Sequence, residues 1–282
     1  MTGSRVDVGE AMDSLAIHID NAHRFHLDQD GISYPYFRDG SGPGVLVLHE
    51  LPGLTPKCIE LADRIMRQGY TVYLPLFFGD PFEDSGMLGF AHITRMCIRH
   101  ELECFATDKT SHLSHWLRAL CVRMHAECGG PGVGAIGMCL TGGIILSVMI
   151  EESLLVPVVC QPVMPLYQVP LPGGPSEEAR KSALGIDPHE LEFVKERAVK
   201  SPILGYRFTT DTLCPPERFA RLRKEFGDNF RGTEIPTGPE HPGKIRNKAH
   251  SVLTTEFVDE EHHPTRRALD EILQRFRERL KV

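Results

Sequence analysis

Short continuous apolar runs, each followed by a stretch with helical spacing, recur along the chain. Residues 45–48 (Val45, Leu46, Val47, Leu48) form the first clear run, as expected of a strand buried on both faces. Residues 57–68 then carry Ile59, Ala62, Ile65 and Met66 on one helical stripe, and Gly69 stands where such a helix stops. Further strands are predicted at 71–76, 133–136, 156–160 and 202–208. Helices are predicted over 92–127, broken near Thr107, and over 140–150, 215–226 and 264–280. Proline opens the last two, which suits the first helical turn. Strands alternating with helices over this length predict an α/β fold with a mostly parallel sheet and helices on both faces.

Two segments interrupt the alternation. Residues 162–185 are rich in Pro and Gly and then charged, and residues 232–249 are rich in turn formers. Loops of this kind commonly form a rim or lid over a site, and surface decoration is the plainer alternative. We therefore expect a single domain over 31–282 with possible insertions at 162–185 and 232–249. Residues 1–30 read as an N-terminal extension packed on it.

With 41% hydrophobic and 24% charged residues in 282, the chain has the composition of a globular protein. A net charge of −7 argues against a nucleic-acid partner, which would need a basic surface. No segment supplies the roughly 20 apolar residues that span a bilayer, and the start lacks the pattern of an export signal. The eight cysteines are then expected to be reduced thiols of a cytoplasmic protein, acting as a monomer or small homo-oligomer. No pair has CxxC spacing, and HExxH is absent. His112 and His115, with His92 and His100 nearby, offer no convincing third ligand, so neither metal nor cofactor is expected.

The strongest chemical signal is residues 134–143, GAIGMCLTGG, which runs strand, sharp turn, helix with Cys139 at the turn. A tight turn of this kind lifts one reactive side chain above the sheet, and small residues must flank it. Gly137 meets that need. The glycine usual two places after the nucleophile is replaced by Thr141, with Gly142 and Gly143 following. Cysteine suits the place, because the attacking species is a thiolate and a helix start with a nearby histidine favours it. The Leu140 N–H at that helix start is then a candidate oxyanion donor. The plain alternative is a small buried cysteine in a βα turn. Residues 132–137 also match GxGxxG, but these glycines precede and span a strand rather than opening a helix, so a dinucleotide site is not expected.

Where such an elbow carries a triad, the acid follows the nucleophile and the histidine comes last. Asp211 ends the 201–211 segment, at the carboxyl end of a predicted strand, and either orients a histidine or caps the next helix. Among His241, His250, His262 and His263, we favour His250, which lies before the last helix. His262 and His263 sit in an acidic helix start and His241 in a Pro-Gly loop. After the first strand, His49, Glu50, Leu51, Pro52 and Gly53 leave the sheet where a second oxyanion N–H arises, with Leu51 as donor. Glu50 either points toward the nucleophile or is a solvated loop acid.

Together these residues resemble the dienelactone hydrolase family of the α/β-hydrolase superfamily. The matching elements are His-Glu-x-x-Gly-Leu (49–54), the Gln-Gly-Tyr-Thr-Val-Tyr-Leu-Pro segment, Gly-x-Cys-Leu (137–140), the Asp211 loop and Ala-His-Ser (249–251). They run in the family's order from about residue 35 to the C-terminus. The resemblance implies an α/β-hydrolase fold and hydrolysis of a small ester or lactone without a cofactor. Cys139 would be the nucleophile, His250 the base and Asp211 its orienter. Glu50 would pair with the thiol, and Leu51 and Leu140 would supply the oxyanion N–H groups. Two positions depart from the pattern. Thr254 stands where family members carry an arginine four residues after the histidine. The second carboxylate-binding arginine falls near Arg95 or Arg99. A general carboxylesterase or thioesterase, and a non-catalytic ligand-binding homologue, are the rival readings.

Overall fold

The computed structural model describes residues 15–77, 79–82, 112–164 and 175–281. Eight strands form one sheet: β1 (Arg24–Gln29), β2 (Ile32–Gly40), β3 (Gly44–Leu48), β4 (Thr71–Pro75), β5 (Val133–Met138), β6 (Leu154–Cys160), β7 (Ile203–Phe208) and β8 (Phe230–Ile235). Their order is β1-β2-β4-β3-β5-β6-β7-β8. β1 pairs antiparallel with β2 and β2 with β4, and every later pairing is parallel. This is the predicted mostly parallel sheet, with an antiparallel edge that the sequence reading did not place.

The strands alternate their side chains between two cores. Val45 and Val47 of β3 face one side with α1 (Pro56–Met66) and α7 (Pro264–Leu280). Leu46 and Leu48 face the other, packed with α2 (His112–Cys128), α3 (Ile144–Val148), α5 (Pro188–Lys200) and α6 (Pro216–Phe226). A short α4 (Glu177–Ser182) precedes α5. Burial of both faces is why the strands read as unbroken apolar runs.

Helix starts follow local chemistry. Thr55 caps α1 by accepting from the Cys58 N–H at 3.3 Å, and Pro56 occupies the first turn, where a missing N–H costs nothing. The α7 stripe of Ala268, Leu269, Ile272, Phe276 and Leu280 is buried. Its Phe276 lies so close to β5 that a Cβ on Gly134 would meet the ring at 2.6 Å. Likewise a Cβ on Gly132 would meet the Ser153 carbonyl at 2.5 Å, and one on Gly137 the Thr141 carbonyl at 2.4 Å. All three glycines of the GxGxxG match are thus required by close packing within the protein.

Several boundaries differ from the sequence reading. The predicted helix over 140–150 is a 3-10 turn, Cys139–Thr141, followed by α3 of five residues. The tight geometry of the elbow consumes the first turn. Residues 232–235 of the turn-rich segment belong to β8, whose polar edge positions masked the strand pattern. Residues 24–29 of the extension form β1, and Ile17 before them is buried in the core. α5 was not foreseen, because its exposed face is charged. The 92–111 part of the predicted helix, with its break near Thr107, lies outside the described residues.

Candidate active site

β3 and β5 are neighbours, with Leu48 opposite Gly137. The chain leaving β3 toward Leu51 and the chain leaving β5 toward Cys139 and Leu140 therefore emerge side by side at the carboxyl end of the sheet. Cys139 holds φ +55°, a left-handed conformation that non-glycine residues rarely adopt. Its carbonyl accepts from the Gly142 N–H at 3.0 Å and the Val163 N–H at 2.9 Å, which pins the turn. Thr141, the departure from the small-residue pattern, has a structural task. Its hydroxyl accepts from the Met138 N–H at 3.0 Å and has the carbonyls of Met138 (2.9 Å), His49 (3.2 Å) and Leu48 (3.3 Å) within donating reach. One side chain thereby ties the elbow to the end of β3.

Asp211 follows β7 and is buried. Its Oδ2 accepts from His250 Nδ1 at 2.8 Å, while Oδ1 accepts the N–H groups of Leu213 at 2.9 Å and Cys214 at 3.2 Å. Asp211 does not cap the next helix, which starts at Pro216 with no side-chain cap; its Oδ1 instead holds the loop before that helix, and its Oδ2 faces His250. His250 Nε2 is buried and makes no well-aligned hydrogen bond. Burial pulls the ring's pKa down, but the Asp211 hydrogen bond and the adjoining Cys139 thiol outweigh it and raise the pKa to about 10. The other candidate histidines are elsewhere. His263 caps α7 through the Thr265 N–H, His262 is exposed beside Glu261, and His241 lies against Glu240.

The β3 exit is held by His49, which is fully buried. Its Nε2 accepts from the Phe77 N–H at 3.1 Å, so its Nδ1 carries the proton and donates to the Glu50 carbonyl at 3.0 Å. Burial pushes its pKa down to about 4, keeping it neutral. Glu50 is not a solvated loop acid. Its side chain is buried, with Oε2 accepting from Ser251 Oγ at 2.8 Å and Oε1 accepting from Thr254 Oγ1. Burial raises its pKa, opposed by those two hydroxyls and by His250 nearby. Leu51 is half-buried beside this loop. Arg95 and Arg99, and His92 and His100, lie outside the described residues.

Two buried arginines were missed by the sequence reading. Arg207 donates from Nε to the Cys214 carbonyl at 2.8 Å and from its terminal nitrogens to the carbonyls of Thr209 and Asp211 and to Glu234. Arg218 donates to the carbonyls of Pro162 at 2.9 Å, Ala183 at 2.8 Å, Arg180 at 3.3 Å and Leu213 at 3.2 Å. It joins both described ends of the 162–185 segment to the Asp211 loop. Only the coincidence of an arginine with a strand of otherwise apolar residues could have flagged Arg207.

Among the described residues six cysteines are free, and Cys58, Cys121, Cys160 and Cys214 are buried. Burial pushes all four of those thiols up, Cys214 to about 12. No described helix is long and apolar enough to cross a membrane.

This sheet, with a strained elbow after β5 and polar side chains converging on it from the ends of β3 and β7, is an α/β-hydrolase fold. The family model for the dienelactone hydrolase family matches residues 32–241, and the chain belongs to that family. No curated protein matches it. Among solved structures, a putative dienelactone hydrolase from Klebsiella pneumoniae is 17% identical, covering 91% of this chain and 96% of its own, with a TM-score of 0.51. The structure named m3DLH is 17% identical over 92% of this chain and 98% of its own, with a TM-score of 0.57. Est1E from Butyrivibrio proteoclasticus is 14% identical over 90% of this chain and 99% of its own, with a TM-score of 0.52.

Proposed function

We propose that the protein hydrolyses a small carboxylic ester or lactone through Cys139, His250 and Asp211. The observation that carries this reading is the 2.8 Å hydrogen bond from His250 Nδ1 to a buried Asp211 oxygen, with Cys139 adjoining the same ring. Asp211 holds the imidazole in one orientation and tautomer, leaving Nε2 to exchange a proton with the nucleophile and leaving group. Family membership supports a hydrolase, and the fold relatives include Est1E, also seen with ferulic acid bound.

The Cys139 sulfur attacks the acyl carbon as thiolate, its proton held on His250 Nε2. The carbonyl π pair moves to oxygen, where the N–H groups of Leu51 and Leu140 receive the negative charge. Collapse breaks the acyl C–O bond, and the alkoxide leaves with the His250 proton. In a lactone that oxygen stays tethered to the acyl group. Water then gives a proton to His250 Nε2 and adds to the thioester, and the acid departs as the sulfur is released. Glu50, held by Ser251 and Thr254, is close enough to His250 to feel its charge.

Turnover of a short-chain aryl ester and an unsaturated lactone, by wild type and Cys139→Ala in parallel, tests the reading. Loss of turnover in the variant is the expected result. Turnover that survives the substitution overturns the cysteine mechanism, and the preferred compound distinguishes ester from lactone chemistry.

A further inference from the structure

Away from the elbow, the described residues contain one group of three side chains suited to a metal ion: His18, His23 and Asp39. One ring nitrogen from each histidine and one Asp39 oxygen lie within 4.8 Å of one another. The rings are stacked, with centroids 4.8 Å apart and planes 15° from parallel. Each ring has its own carboxylate. Asp39 Oδ2 accepts from His18 Nδ1 at 2.8 Å and from the His18 backbone N–H at 2.7 Å. Asp20 Oδ1 accepts from His23 Nδ1 at 2.8 Å and from the N–H groups of Ala22 at 2.9 Å and His23 at 3.1 Å. Asp39 is fixed in turn by the Gly40 N–H, 2.7 Å from Oδ1.

We propose that His18, His23 and Asp39 form a binding site for a zinc-class divalent cation, with Asp20 as the positioning residue for His23. Two imidazoles and a carboxylate are the donor set such ions take, with water completing the shell. A carboxylate on Nδ1 fixes the tautomer, leaves Nε2 with a lone pair and makes it a better donor, which is the part Asp20 plays. Bonds of roughly 2.0–2.1 Å in a tetrahedral shell place donor atoms about 3.3 Å apart, so these atoms need to close by at most about 1.5 Å. His18, with a side chain 61% exposed, is open to incoming metal, and its Nδ1 gives up its hydrogen bond to Asp39 when the two share the ion.

The site is remote from the proposed chemistry. Asp39 pairs with Val72 near the start of β4, whereas Cys139 follows the end of β5 in the same parallel array. A metal here therefore joins the N-terminal segment, through His18 and His23, to the sheet through Asp39. Its consequence is stability of the extension rather than turnover.

Zinc titrated calorimetrically into the full chain is the test, with a Cys139→Ala background so that this thiol does not compete. One zinc per chain and a rise in Tm with added metal are expected. His23→Ala and Asp39→Asn should abolish both responses. Asp20→Asn should weaken binding by about 10- to 100-fold while leaving the donors in place. Melting without metal, compared across variants, separates lost ligands from lost folding. Absence of zinc binding by the parent, or undiminished binding by the correctly folded His23→Ala variant, overturns the proposal.

Discussion

The Thr254 hydroxyl donates to the Glu50 carboxylate inside the protein, across 204 positions of sequence. Thr254 stands where the family resemblance leads one to expect an arginine. A cation there would hold Glu50 ionised, whereas two hydroxyls leave it in an apolar setting that raises its pKa above the ordinary 4.5. A group raised on folding contributes stability that is fully present below about pH 4.5 and is lost as pH rises through its folded pKa. Glu50→Gln should therefore flatten the stability–pH curve above pH 4.5, and Thr254→Arg should move the remaining dependence downward. Urea melts across pH 4–9 read both effects. An unchanged curve for Glu50→Gln would show that Glu50 is not the group responsible.

His250 should titrate far from an ordinary histidine. Its pKa of about 10 rests on Asp211 on one side and Cys139 on the other. The sign follows from the same linkage. Stability contributed by the charged ring is complete below about pH 6.5 and disappears as pH rises toward 10. An NMR titration of the ring should find a midpoint near 10 in the wild type and a lower one in Cys139→Ala. A wild-type midpoint near 6.5 would contradict the coupling.

In the proposed mechanism the two oxygens of Asp211 divide catalysis from folding. Asp211→Asn keeps an oxygen for the N–H groups of Leu213 and Cys214 but removes the anion from His250 Nδ1. Turnover should fall by about 10⁴-fold, the loss seen when a triad acid becomes an amide that favours the wrong tautomer. Stability should fall far less than the loss of rate. Steady-state kinetics with a thermal melt check the pair, and an Asp211→Asn enzyme of near wild-type kcat would remove Asp211 from the mechanism.

The central strands and the elbow were legible because their requirements are local. The unbroken run VLVL fits a strand buried on two faces, and Gly137 must be small because Thr141 turns back over it. That Asp211 and His250 would pair was legible through chain order. β1, β2 and β8 were not, because half-exposed strands carry polar residues that dilute the alternating pattern. The Glu50 environment was not legible either. Its partners lie about 200 residues away, so the sequence left it balanced between a site residue and a solvated acid.

Arg207 is the residue on which the acid loop depends most. The loop turns back from β7 with the carbonyls of Thr209, Asp211 and Cys214 all aimed at one guanidinium, which is 1% exposed. Arg207→Met keeps the apolar stem but strands those carbonyls and leaves Glu234 with Arg223 as its remaining partner. Glu234 is partly exposed, so most of the cost comes from the carbonyls, and a loss of about 2–4 kcal/mol is expected. Because the Asp211 backbone is among the groups released, kcat should fall in Arg207→Met even at temperatures where the variant is fully folded. Arg207→Lys, a single ammonium without the planar fork, should recover stability only in part. Chemical denaturation and kcat measured at a temperature well below both melting points separate the two effects. A variant that loses stability but keeps kcat would show that the loop holds Asp211 without Arg207.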